Sequence, residues 1–175
     1  MKYAAFLRAV NVGRNHRVTS AELRDIFETA GARDVATFRT SGNVVFEAPR
    51  DMSAKLETAL ETSLGYDVGV FLRSAGELAQ IAAHEPFEAA QVEASKGKLQ
   101  VSMLSTKPAT ATRKNVLALA TDDDLLAFGD RELYWLPSAG TMESTLDRKT
   151  IDKLLGPTTM RTKGTVEQLA AKFFA

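Results

Sequence analysis

Apolar positions in the first part of the chain switch between the continuous runs of buried strands and the three-to-four-residue spacing of amphipathic helices. Residues 2–10 are apolar on both faces, which is typical of a central strand. Thr19-Ser20-Ala21-Glu22 has the spacing of a helix capping box, and Gly31 suits the left-handed position after that helix. The remaining elements predicted here are strands at 35–39 and 43–47, a helix with Met52, Leu56, Ala59, Leu60 and Leu64 on one stripe that ends at Gly65, and a strand at 67–73. This order of strands and helices is that of a ferredoxin-like, or split βαβ, unit.

A second copy of this order is predicted in the rest of the chain. The capping box Ser74-Ala75-Gly76-Glu77 begins a linking helix, and residues 85–97 are interpreted as a linker. The elements predicted next are a strand at 98–104, a helix at 114–120, a hairpin of strands 125–128 and 132–136, a helix at 146–155, a strand at 158–161 and a last helix with Val166, Leu169, Ala170 and Phe173 on one face. The sequence thus predicts an α+β fold of two tandem ferredoxin-like subdomains produced by structural duplication. Their predicted bounds are residues 1–73, a linking helix and loop at 74–97, and residues 98–175 with an extra C-terminal helix.

Composition narrows the classes of partner. The chain has 175 residues with 22 basic and 22 acidic side chains, so no global field favours nucleic acid, a membrane surface or an acidic partner. Cysteine is absent, which excludes disulfides and thiolate chemistry and is typical of a reducing compartment. No apolar stretch is long enough to span a bilayer, so we expect a soluble cytoplasmic protein.

Two polar interruptions mark strand ends, where binding sites commonly form. Asn11-Val12-Gly13-Arg14 follows the first strand, and Ser41-Gly42-Asn43 precedes the third. With His16 and Arg17 the first segment is locally basic, and guanidinium forks and loop amides suit a phosphate or a carboxylate. The alternative is a solvated loop and a tight turn, and for Ser41-Gly42-Asn43 turn chemistry is favoured. The candidate ligand residues of this part are Arg8, Asn11, Gly13, Arg14, Arg39, Ser41 and Asn43.

Strand alternation suggests a second kind of binding surface. Ala5, Leu7 and the aliphatic residues of strand 67–73 should face the helices, which leaves Phe6, Arg8, Phe71 and Arg73 on the other face. Aromatic and arginine side chains on an open sheet are typical of single-stranded nucleic-acid binding. The strand 43–47 lacks the pattern of an RNA-recognition motif, and burial of this face against the second half of the chain is the favoured alternative.

Three segments together resemble one family. Leu7-Arg8-Ala9-Val10-Asn11-Val12-Gly13, Thr40-Ser41-Gly42-Asn43-Val44-Val45-Phe46 and the terminal stretch 161–169 are similar to the LRGINVGG, SGNVVF and TTRNWNTV motifs of the bacterial domain of unknown function 1697. The resemblance implies two ferredoxin-like subdomains, and it implies no settled activity.

The chain departs from the family pattern at two places. Ala9 and Arg14 replace family glycines, and Thr162-Lys163-Gly164 stands where Asn, Trp and Asn are usual. Arg161 and Thr165 keep the family residues and join the candidate ligand residues, because cations and free amides at a helix start suit an anion. The structural alternative is that Thr165 caps the last helix and Arg161 pairs with a carboxylate.

Catalytic and metal-binding patterns are weak. His16 and His84 lie on different predicted elements, outside metal-ligand spacings, and Asp122-Asp123-Asp124 is interpreted as a solvated turn rather than a magnesium site. Ser41 has no predictable base, and phosphate-loop and dinucleotide motifs are absent. We therefore predict no metal or cofactor and assign no enzyme activity. The sequence favours a small anionic ligand, with nucleic-acid binding or a protein-interaction module as alternatives.

Overall fold

The structure is a computed structural model that describes residues 1–10, 17–39 and 42–175. Strands and helices alternate along the described residues, except that two strands follow one another at two places and two helices at one. Their bounds are β1 Lys2–Arg8, α1 Ser20–Thr29, β2 Arg33–Thr37, β3 Asn43–Glu47, α2 Ser53–Leu64, β4 Gly69–Ser74, α3 Ala75–Ala83, α4 Ala89–Ala94, β5 Gln100–Leu104, α5 Thr110–Leu117, β6 Asp124–Phe128, β7 Glu132–Pro137, α6 Arg148–Leu155, β8 Thr158–Thr162 and α7 Lys163–Phe173.

The first compact unit contains Met1–Ala79 and Leu169–Ala175. Its antiparallel sheet has the order β2-β3-β1-β4, so the apolar strand β1 is central, as expected for a strand that is buried on both faces. Tyr3, Ala5 and Leu7 point from β1 into a core that α1 and α2 complete with Phe27 and Leu60. The predicted assignment of the aliphatic strand face to the helices is confirmed.

The second compact unit contains Gln80–Gln168. Its antiparallel sheet has the order β6-β7-β5-β8, with β5 central. Leu133 and Trp135 of β7 pack in a core with Val116 of α5 and Ile151 of α6. The described residues therefore form a mixed α+β fold with two four-stranded antiparallel sheets, each flanked by helices.

The two sheets match in register as well as in order. In the first unit Tyr3 lies opposite Phe46 on one side and Ser74 on the other. In the second, Gln100 lies opposite Trp135 and Thr162. Tyr3 and Gln100 thus occupy equivalent places in the central strands, although their side chains differ.

Local signals in the sequence predicted several helix ends correctly. The capping box at the start of α1 is present, because Thr19 Oγ1 accepts from the Glu22 amide at 3.1 Å and Glu22 Oε2 accepts from the Thr19 amide at 3.0 Å. Ser74 and Glu77 make the equivalent pair of hydrogen bonds before α3. Gly65 ends α2 in the left-handed conformation with φ +82°.

The interpretation of residues 85–97 as a linker was wrong in part. This stretch contains the helix α4, and before it the Glu88 amide donates to Gln91 Oε1 at 3.1 Å. Six residues are too few for a 3.6-residue period to show, so the apolar pattern did not reveal the helix. Helix α5 likewise begins at Thr110, before the predicted start at residue 114.

Candidate functional site

The end of β1 and the turn before β3 meet at one end of the first unit. The Leu7 amide donates to the Gly42 carbonyl at 2.8 Å, which ties the end of β1 to the turn before β3. A Cβ atom at Gly42 would lie 2.5 Å from Val10 Cγ2 and 3.1 Å from Leu7 Cβ. With φ +78° as well, this position requires glycine for two independent reasons.

A surface pocket of about 450 Å³ opens beside this contact. Its lining combines the start of α1 with the turn between β2 and β3. Arg17 and Arg39 are both exposed, and the Arg39 guanidinium carbon lies 5.3 Å from the centre of the Phe38 ring. The pocket is lined by Arg17, Val18, Thr19, Ser20, Leu23, Arg39 and Gly42.

The local charge of this pocket is mixed. An anion is favoured by the two arginines. It is also favoured by the first-turn amides of Ser20 and Ala21, because these have no acceptor within the helix. The Glu22 carboxylate opposes it, because the capping box holds that side chain at the same helix end. Burial, together with the charge of Glu22, raises the pKa of Tyr66, so the negative field of Glu22 reaches its neighbours.

Asn43 stabilises the turn between β2 and β3. Its side chain is 1% exposed, and its Nδ2 donates to the Phe38 carbonyl at 2.9 Å. The Phe38 amide in turn donates to the Asn43 carbonyl at 2.9 Å, so the two residues close the turn between β2 and β3. Turn chemistry, the favoured interpretation of this segment, accounts for both Gly42 and Asn43.

The other candidates from the first unit lie at its strand ends or outside the described residues. Arg8 is exposed at the end of β1, in register with Gly69 of β4. The candidates outside the described residues are Asn11, Gly13, Arg14 and Ser41, together with His16.

Ala9 adopts a left-handed conformation with φ +73°. Glycine adopts the left-handed region more easily than any other residue. The backbone conformation at position 9 therefore explains why the family that the sequence resembles usually has glycine there. Arg39, at φ +61°, is also left-handed. Two non-glycine residues with this conformation therefore lie near the contact between Leu7 and Gly42 in sequence, and such strain is enriched at functional sites.

Arg161 and Thr165 lie in the second unit, in β8 and α7. Arg161 is 9% exposed, and its Nη1 donates to Thr159 Oγ1 at 2.8 Å and to the Met160 carbonyl at 2.9 Å. Burial lowers the pKa of Arg161 to about 10, which leaves the guanidinium charged at neutral pH. The expectation that Thr165 caps the last helix was wrong: the Thr165 amide donates to Thr162 Oγ1 at 3.2 Å, so Thr162 is the cap.

The face expected to stack nucleic-acid bases is not exposed. Phe6 is 0% exposed, Phe71 is 3% exposed and Arg73 is 0% exposed, while Arg8 alone of the four lies at the surface. Stacking requires open ring faces. This arrangement removes the observation that supported nucleic-acid binding and agrees with the expectation that the face is buried.

The acidic run at residues 122–124 is only partly a solvated turn. Asp122 and Asp123 are exposed, but Asp124 is 2% exposed and accepts hydrogen bonds from Trp135 Nε1 at 2.8 Å and Ser144 Oγ at 2.7 Å. A buried carboxylate with two donors is a structural group that joins the hairpin to the following loop. Within the described residues, no group of three histidine, aspartate or glutamate side chains is placed to hold a metal ion.

None of the described helices combines the length and apolar character needed to cross a bilayer.

Comparison with known proteins agrees with the motifs. The family described as "Protein of unknown function (DUF1697)" matches residues 1–134, so the terminal motif at 161–169 lies beyond the matched part. No curated protein matches the sequence. The solved structure of conserved bacterial protein SP0830 from Streptococcus pneumoniae is similar in fold, with a TM-score of 0.71, 22% identity and 97% of each chain covered. The chain belongs to the DUF1697 family of proteins of unknown function.

Proposed function

We propose that this protein binds a small phosphate-bearing anion at the strand-end pocket of the first unit. The observation that carries the proposal is a pocket of about 450 Å³ lined by Arg17, by Arg39 and by the first turn of α1. Guanidinium forks and helix-start amides are the two protein groups best suited to phosphate oxygens.

The two polar interruptions adjoin residues of this proposed site in the sequence, and we include their candidate ligand residues in the proposal. Arg17, which lines the pocket, follows the segment that contains Asn11, Gly13 and Arg14, and Ser41 precedes Gly42 in the lining. Arg8 lies at the end of the strand that leads into the first segment. Asn43 supports the site by closing the turn that carries Arg39.

Glu22 makes the proposed site selective. Its carboxylate already occupies one position at the start of α1, so a ligand with a single weak charge gains little there. A doubly charged phosphate group interacts more strongly with two guanidinium groups, and we expect it to be preferred over a carboxylate.

We further infer that each unit is a ferredoxin-like subdomain. The sheet orders β2-β3-β1-β4 and β6-β7-β5-β8 place the first strand of each unit between its third and fourth strands, which is the arrangement expected of a split βαβ unit. Both copies bring the end of the first strand and the start of the third to one end of the sheet, where the proposed site lies in the first unit.

Isothermal titration calorimetry with inorganic phosphate, pyrophosphate, ribose 5-phosphate and acetate tests the proposal. We expect saturable binding of the phosphates, weaker binding of acetate, and a decline in affinity as salt rises, because the site is exposed. Arg39→Gln should weaken phosphate binding about tenfold. Arg33→Gln is the matched control, since Arg33 is an exposed arginine at the start of β2, the strand that precedes Arg39.

Absence of saturable binding by all three phosphates would refute the proposal. Equal losses in Arg39→Gln and Arg33→Gln would also refute it, because such losses would reflect net charge rather than a site.

A further inference from the structure

A separate pocket of about 270 Å³ lies within the second unit. Its walls are apolar, from the stretch before β5, and its polar groups come from that stretch and the start of α7. The residues that line it are Glu85, Pro86, Phe87, Ala89, Val92, Glu93, Leu99, Lys163 and Glu167. This composition, apolar walls with a few polar groups, is typical of small-molecule sites.

Lys163 places a buried ammonium group in this pocket. Its side chain is 7% exposed, and its Nζ donates to the Ala82 carbonyl at 3.0 Å and to Glu167 Oε1 at 2.7 Å. An ammonium has three N–H donors, and these two acceptors are its partners among the described residues. One donor is therefore available to an oxygen atom inside the pocket, in surroundings where a hydrogen bond is strong.

The carboxylates of the pocket exceed its cations. Glu167 balances the charge of Lys163, and the exposed side chains of Glu85 and Glu93 add two negative charges. An anionic ligand is disfavoured by this field, and a cationic group near Glu85 and Glu93 is favoured.

We propose that this pocket binds a small amphipathic amine that carries a carbonyl oxygen. The apolar body lies against Phe87, Val92 and Leu99, and the carbonyl oxygen accepts the remaining N–H of Lys163. The amino group lies near Glu85 and Glu93. An amide of an apolar amino acid has all three features. The proposal also gives a role to Lys163, which belongs to the tripeptide that departs from the family motif.

Titration of the ¹⁵N-labelled protein, followed by NMR, tests the proposal with three probes. Leucinamide has the amine, the carbonyl and the apolar body. N-acetylleucinamide keeps the carbonyl and the apolar body but lacks the cation. 4-Methylpentanoate lacks the amine and carries a carboxylate in place of the primary amide. We expect leucinamide to shift amides of residues 85–99 and 163–167 in a saturable way. N-acetylleucinamide should bind several-fold more weakly, and 4-methylpentanoate should not bind.

Two substitutions separate this role from a purely structural one. Glu93→Gln changes an exposed side chain and should weaken leucinamide binding about threefold, with less effect on N-acetylleucinamide. Lys163→Met keeps the apolar stem and should abolish binding of both amides, while Lys98→Met, an exposed control, should leave both unchanged.

Three results would overturn the proposal: no saturable shift with leucinamide, equal binding of 4-methylpentanoate, or unchanged affinity in folded Lys163→Met. Should Lys163→Met fail to fold, Glu93→Gln decides, and an unchanged preference for leucinamide over N-acetylleucinamide in that variant would overturn the proposal.

Discussion

Gly42 and Gly65 both have positive φ, but their surroundings differ. Gly42, at φ +78°, faces Val10 and Leu7, whereas a Cβ at Gly65, at φ +82°, would meet nothing within 4 Å. Glycine is thus required at position 42 by both the backbone conformation and the close approach of Leu7 and Val10. At position 65 it is favoured only by the backbone conformation at the end of α2.

This difference predicts unequal effects of alanine. Gly65→Ala should lower the free energy of unfolding by about 1 kcal/mol, the usual effect of left-handed alanine. Gly42→Ala should lower it by about 1–3 kcal/mol more, because the methyl group overlaps Val10. Urea denaturation measures both. Equal losses would contradict the close approach of Gly42 to β1.

Buried charged residues are the least visible feature of this sequence. Arg73, Asp124, Arg161 and Lys163 are all buried. Each makes hydrogen bonds that offset its removal from water. Their residue types gave no sign of burial, because arginine, lysine and aspartate usually lie at the surface.

At the scale of elements, capping hydrogen bonds define where helices begin. Asp147 caps α6: its Oδ2 accepts from Thr150 Oγ1 at 2.7 Å and its Oδ1 accepts from the Thr150 amide at 3.2 Å. These hydrogen bonds, the side-chain one first, lower the pKa of Asp147 below its ordinary value.

Removing the Thr150 hydroxyl should therefore raise this pKa. Thr150→Val keeps the branched shape, and we expect the pKa of Asp147 to move toward its ordinary value in a carboxyl NMR titration. Lys149→Met is the control and should move it less, since Lys149 is the weakest of the causes that lower it. The contribution of this cap to stability is present above the unfolded pKa of about 4 and is lost as pH falls through the lower folded value. A larger shift in Lys149→Met would contradict the assignment to the hydroxyl.

At the scale of the molecule, the same arrangement occurs twice. Arg73 lies opposite Ala4, and Arg161 lies opposite Val101, at equivalent places in the two sheets. Each arginine Nη1 donates at 2.9 Å to the carbonyl of the preceding residue. Each sheet thus carries a buried arginine near the end of its last strand, one residue before a helix cap.

Each unit has its own core, and we expect separable local stability. Leu60→Ala opens a cavity in the first core and should cost about 2–5 kcal/mol. Hydrogen exchange should then accelerate more in residues 20–72 than in residues 100–162. Val116→Ala, in the second core, should give the reverse pattern. Uniform acceleration in both variants would show that the two cores open together.

The local features of the site were predictable from the sequence, but the set of residues that come together to line it was not. The capping box at Thr19 and the turn at Gly42 depend on neighbours in sequence, so their residue types were sufficient. That Arg17 and Arg39 line the same pocket depends on tertiary structure, because the start of α1 and the residues after β2 come together at one end of the sheet. The burial of Lys163 depends on Ala82, which lies far from it in sequence.

The sequence by itself determined the order of the elements other than α4, the helix starts and ends at strong caps, the strand face that meets the helices and the family. These follow from interactions between residues a few positions apart and from the periods of strand and helix. Only the tertiary structure decided which charged side chains are buried, that α4 exists in the stretch before β5, and which cations line a pocket. Those outcomes depend on contacts between distant segments, and hydrophobic periodicity carries no information about the partner of a polar group.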